Sequence, residues 1–163
     1  MIKSEVATSC YDYLLLEIIR NRKKESDTNE EAKEKLKQLG SILGNKLAED
    51  RNLKDGRLTI NGVLNDIIKS NWCHYFFSNS SISPNDNNAK KYYLNIPQCD
   101  FISNISSFSE STEETNEMKE LYLTFICSLI QGCSNSRGFK IGINYNKPNK
   151  SDDKIQITIV PSN

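Results

Sequence analysis

A chain of 163 residues is the size of one ordinary domain, long enough to bury a core without disulfides or a structural metal. Its 21 basic and 21 acidic side chains cancel and are interspersed, so no basic patch points to a nucleic-acid partner. Hydrophobic residues make up only 37% of the chain, with Asn, Ser and Lys in their place, and no apolar run is long enough to span a bilayer.

The first helix is expected from about Val6 to Arg22. Between Cys10 and Ile19 almost every direction around it is apolar, including Tyr11, Leu14, Leu15, Leu16 and Ile18. A helix apolar all round must be buried on more than one side. The run Leu14 to Ile19 is short, is broken by Glu17 and lacks a small-residue cleavage site, so it is not a leader. Thr28 with Glu31 predicts a capping box that opens a second helix. Leu36, Leu39, Leu43 and Leu47 form its apolar stripe, with Gly40 and Gly44 beside it. Two glycines inside a helix each cost about 1 kcal/mol relative to alanine, so close approach of another backbone is expected there. Spacing alone leaves open whether that backbone is the chain's own core or a partner.

Thr59 caps a third expected helix, with Ile60, Val63, Leu64, Ile67, Ile68, Trp72, Tyr75 and Phe76 at helical period. This is the strongest periodicity in the sequence and predicts the central helix of the core. Ser78 to Asn88, with Pro84, reads as a polar loop. Tyr92, Leu94 and Ile96 then alternate as a strand, and Phe101 to Ile105 is the expected return strand. Ser111 with Glu114 is a second capping signal, followed by a fourth helix through Met118, Leu121, Tyr122, Phe125, Ile126, Leu129 and Ile130, its end bracketed by Gly132 and Gly138. Ile141, Ile143 and Tyr145, and then Ile155, Ile157 and Ile159, alternate as a closing hairpin. The order α-α-α-β-β-α-β-β, with strands in adjacent pairs, predicts an α+β domain spanning 1–163, its helices on one face of a twisted four-stranded antiparallel sheet.

Catalytic chemistry is not expected. The one histidine, His74, adjoins Cys73, but neighbours on a helix point about 100° apart and do not meet as nucleophile and base. The five cysteines, Cys10, Cys73, Cys99, Cys127 and Cys133, lack metal-site spacing and are odd in number, which suits reduced cytosolic thiols filling the core. No phosphate-binding glycine motif is present, so neither a cofactor nor a metal is expected. Paired acids such as Glu30 and Glu31, or Glu113 and Glu114, stand at helix starts, where they suit the helix dipole. A chain without catalytic groups but with an over-apolar first helix is expected to be a component of an assembly.

Four segments resemble the small core subunits of TRAPP, the transport protein particle: Tyr11 to Ile19, Leu36 to Leu47, Leu58 to Phe77 and Leu123 to Gly138 followed by the hairpin. Tyr92 to Ser106 looks most like the subunit-five type, and Ser83 to Asn88 lacks the basic-threonine-asparagine stretch usual in the subunit-six type. The polar insertion Ser107 to Asn116 departs from the subunit-five pattern. The resemblance implies a non-catalytic scaffold of a tethering complex in ER-to-Golgi transport, cytoplasmic and peripheral at early Golgi and endoplasmic reticulum membranes. It implies that the assembled complex is the nucleotide-exchange factor for an early-secretory Rab GTPase. It implies pairing with another core subunit through the first two helices, or with a second copy when isolated, and contact with a sedlin-type subunit. The implied interface is Leu14, Leu15, Ile18, Leu39, Gly40, Leu43, Gly44 and Leu47, and the family pattern tilts the glycines toward the partner. One related subunit type is acylated on a cysteine near the turn from the second to the third helix. Asn52 to Thr59 here has none, so that site is not carried over. The alternative reading is a small-ligand or acyl-chain binding module of the same fold.

Overall fold

The computed structural model describes residues 2–49, 59–69, 80–85, 88–97, 102, 105, 111–146 and 155–162. Its elements are α1 (Ile2–Lys24), α2 (Asn29–Glu49), α3 (Ile60–Ile68), β1 (Ser81–Asn85), β2 (Asn88–Ile96), α4 (Thr112–Ser136), β3 (Ile141–Tyr145) and β4 (Ile155–Pro161). All pairings in the sheet are antiparallel, in the order β1-β2-β4-β3.

The expected caps form. Glu31 N–H donates to Thr28 Oγ1 (3.2 Å), and the Glu31 carboxylate reaches back to accept from Asp27 N–H (2.9 Å). Gly62 N–H donates to Thr59 Oγ1, and Glu114 N–H to Ser111 Oγ. The bonds to Thr28, Thr59 and Ser111 each satisfy one of the four donors that a helix start leaves without an intrahelical partner. At the other end of α4, Gly138 takes φ +83°. Its N–H donates to Asn135 O, and Phe139 N–H donates to Ser134 O. This is the Schellman arrangement that turns the chain from helix into β3.

The centre of the core is α4 rather than α3. Every residue from Leu121 to Ile130 is buried, so α4 is covered on all sides. Its polar members bond locally: Thr124 Oγ1 donates to Glu120 O, and Ser128 Oγ to Thr124 O. The sheet supplies Leu94, Ile96, Ile141, Ile155, Ile157 and Ile159 to the same core. Because strand side chains alternate, these residues all lie on the helix-facing side. Meanwhile α3 is short, with Val63, Leu64 and Ile67 buried and Lys69 as its C-cap. Trp72, Tyr75 and Phe76, expected on the same helix, lie outside the described residues.

The first strand pair differs from expectation. The partner of β2 lies before it, within the stretch read as a polar loop. Ser81, Ile82, Ser83 and Pro84 face Asn95, Leu94, Tyr93 and Tyr92, with an irregularity at Pro84/Asn85. Pro84 is tolerated because β1 is an edge strand. The expected return strand is not one: Ile102 and Ile105 are helical and buried. Their spacing of three puts both on one helical face, the period that alternation would have contradicted.

Candidate functional site

Two helices carry the residues expected to pair with another protein. On α2, the row Ala32, Leu36, Gly40, Gly44 and Ala48 is buried. That row runs along α4, and the glycines make the approach possible. A Cβ on Gly40 would lie 2.6 Å from the Phe125 carbonyl oxygen and 2.9 Å from Ser128 Cβ. One on Gly44 would collide with the Leu129 carbonyl oxygen and stand 2.8 Å from Cys133 N. From the opposite side, a Cβ on Gly132 would strike the Ser41 backbone. The Cys133 thiol donates to Gly44 O at 3.0 Å, so the two backbones are joined as well as close. Gly40 and Gly44, expected on a partner, are therefore taken up by the chain's own fourth helix.

The neighbouring row of α2 is different. Leu39, Leu43 and Leu47 are only half-buried, packing against the core with one side. Lys35, at the head of this row, donates from Nζ to Glu25 O just after α1 (2.5 Å), tying the start of α2 to the end of α1. On α1, Leu15, Leu16 and Ile19 enter the core. Leu15, expected at the interface, thus faces inward. Ile18 is half-buried, and Leu14 one turn away is 57% exposed. Tyr13 is 57% exposed and Ile42 on α2 is 54% exposed. Among the residues of α1 whose burial is described, Leu15, Leu16 and Ile19 are buried while Tyr13 and Leu14 are exposed, so the chain itself covers them on one side only. Large exposed apolar side chains are informative when they cluster. Here Leu14 and Ile42 are exposed on α1 and α2, the same two helices that carry the half-buried Ile18, Leu39, Leu43 and Leu47. Ile42 was not among the residues expected at an interface, although it stands three residues from Leu39, a spacing that keeps it on the same helical side.

A second concavity, about 410 Å³, lies on the other flank of α2, between it, α4 and β3. Lys33, Lys37, Glu120, Gln131, Ile143 and Tyr145 are among its walls. Lys33 Nζ sits between Glu30 (2.7 Å) and Glu120 (3.2 Å). The hydrogen bond to Glu30, first, and that to Glu120 raise its pKa against the opposing effect of burial. Tyr145 Oη and Thr124 Oγ1 are hydrogen-bonded at 3.1 Å, and burial raises the phenol's pKa.

Two buried thiols, Cys127 and Cys133, lie along α4. Burial pushes the Cys127 thiol up to about 12 and the Cys133 thiol up to about 11, the latter slightly offset by Arg137. Neither forms a thiolate at neutral pH. Cys10 is exposed. Cys73 and His74 lie outside the described residues. Among the described residues no cluster of His, Cys, Asp or Glu could hold a metal ion, and no helix is long and apolar enough to cross a membrane.

Comparison with known proteins gives one family. No curated protein matches the sequence. Among solved structures, a trafficking protein particle complex subunit 3 from Naegleria fowleri, covalently bound to palmitic acid, is similar over 98% of this chain and 97% of that one. The TM-score is 0.75 at 15% identity, which establishes a shared fold. The model of the transport protein particle (TRAPP) component family matches residues 11–160, from the first helix to the last strand. The chain belongs to the TRAPP component family.

Proposed function

We propose that the chain is a non-catalytic core subunit of a vesicle-tethering complex and that it pairs with a neighbouring subunit across the seam between α1 and α2. The observation that carries this is that α1 and α2 expose Leu14 and Ile42 and leave Ile18, Leu39, Leu43 and Leu47 only half-buried. The glycines act behind this surface by holding α2 on α4, and Leu15 does so from the core.

On this reading the complex works in ER-to-Golgi transport, peripheral at those membranes, and the scaffold supports nucleotide exchange on an early-secretory Rab GTPase. A sedlin-type subunit is a further neighbour, and the isolated chain forms a homodimer through the same seam. The subunit-five type rests on the sequence likeness of Tyr92 to Ser106. Its expected second strand is absent, since Ile102 and Ile105 are helical. The acyl-chain reading gains no support from the groove beside β3, whose charged and hydroxyl-bearing walls suit a polar occupant.

The test is co-expression with other subunits of the family. Leu14→Asp and Ile42→Asp change exposed positions, so each variant keeps its melting temperature but loses the co-purifying subunit. Pairing that survives both substitutions removes this reading. Gly44→Glu is not a usable test, because it breaks the fold before it reaches a partner.

A further inference from the structure

The sheet ends at β3, and the hydrogen-bond register shows which backbone groups its outer edge presents. Asn146 N–H donates to Gln156 O, and Ser162 N–H donates to Lys140 O. Hydrogen-bonded rungs in an antiparallel pair recur at every second residue. Gly142 and Asn144 therefore direct their backbone groups at β4, opposite Val160 and Thr158. Ile141, Ile143 and Tyr145 direct theirs away from the sheet. Gln131 bears this out, because its Nε2 donates to the outward carbonyl of Ile141 at 2.7 Å. Ile143 and Tyr145 receive no such partner among the described residues.

These two outward rungs border the groove under α2, whose walls include Lys33, Lys37 and Glu120. Lys33 is held by two carboxylates. Among the described residues Lys37 meets only Glu34, at 3.5 Å, with the two side chains 54% and 60% exposed. An exposed pair of that kind contributes little, which leaves the Lys37 ammonium available at the rim. A strand added beside β3 would place the side chain opposite Ile143 on the helix-facing side, toward Lys37.

We propose that β3 is a receptor edge for an extended acidic peptide of a partner protein, which adds as a fifth strand and sets a carboxylate against Lys37. Backbone bonds to Ile143 and Tyr145 supply the pairing, and the groove selects the acidic side chain. Gln131 closes the edge at Ile141, so the receptor is two rungs long and the contact is weak and reversible. A second copy of β3 would offer no carboxylate to Lys37. This surface is separate from the α1–α2 seam and does not depend on it.

The probe is a capped peptide of roughly seven residues, alternating Thr and Val around a central Glu, with a Lys-centred twin, titrated by NMR against the full chain. The Glu peptide binds, shifts the Ile143 and Tyr145 amides and slows their exchange, whereas the Lys peptide does not. Ile143→Pro removes an outward N–H without touching the β4 ladder, and Lys37→Glu reverses the rim charge. Each weakens binding by about fivefold or more, the scale of one lost hydrogen bond or charge contact. Leu14→Asp leaves peptide binding unchanged, which keeps this result separate from that for the seam. No binding by the Glu peptide, equal binding of both peptides, or protection of Ile143 and Tyr145 that rises with protein concentration alone overturns the proposal. Should Ile143→Pro fail to fold, Lys37→Glu and the amide exchange decide it.

Discussion

The glycines of this chain do different things, and the difference is measurable residue by residue. At Gly44 an added methyl meets backbone on the facing helix, which cannot move aside as a side chain could. Gly44→Ala is expected to cost about 3 kcal/mol, at the upper end for overpacking. Gly138 has open space and a positive φ, so Gly138→Ala carries backbone strain alone, about 1 kcal/mol. Denaturant unfolding of the two variants should keep that order; equal losses would mean that α2 and α4 separate readily. The buried thiols make a second prediction. Their raised pKa means that the folded state holds the thiol proton more tightly than the unfolded chain does. The stability from Cys127 and Cys133 is fully present below the ordinary thiol range, and it falls as pH climbs through that range toward about 12. In the folded chain at pH 8, of the three described cysteines only Cys10 should react promptly with a thiol reagent; mass spectrometry of the labelled sites checks this. Cys127→Ser should flatten the alkaline limb of the stability curve, although it removes a well-packed sulfur.

At the scale of elements, most of the helical framework was legible because its signals are local. Thr28, Thr59 and Ser111 each announce a helix start by chemistry that operates within one turn. Removing one such cap, Ser111→Ala, should cost about 1 kcal/mol in a melt. The closing hairpin was legible too, since Ile141 to Tyr145 and Ile155 to Ile159 alternate cleanly. What failed depended on facts that a local pattern does not hold. The edge strand β1 has Ile82 as its one large aliphatic residue and contains Pro84, so it resembles a loop until Leu94 is found opposite it. Phe101 to Ile105 has apolar residues enough for a strand, but Ile102 and Ile105 follow the helical period. The strongest periodicity, in α3, marked an amphipathic helix at the edge of the core. The truly central helix, α4, is buried all round and so has a weaker moment. Of the residues expected at an interface, Leu14 is exposed and Ile18, Leu39, Leu43 and Leu47 are half-buried, whereas Leu15, Gly40 and Gly44 are buried in the chain's own core. Which side of α2 faced inward could not be read from Gly40 and Gly44, because close approach looks the same in sequence whichever backbone approaches.

At the scale of the whole molecule, α4 and the middle of the sheet form one packed body, with α2 joined to it along its length. Amide exchange should therefore be slowest at Leu121 to Ile130 and in β4 around Ile157, where opening requires the whole core to come apart. Faster exchange there than in α1 would contradict this account. The glycine contact has a mechanical consequence. The Gly44 and Gly132 sites lie against carbonyls of the opposing helix, at Leu129 and Ser41, so the two helices mesh like teeth on facing racks. Sliding α2 by one turn, about 5.4 Å, would drive side-chain-bearing residues into those sites. A pull applied at the leucines of α2 is thus delivered without slack to α4 and through it to the sheet. In the tethering role proposed above, there is then no sliding joint between the leucines of α2 and the frame behind them.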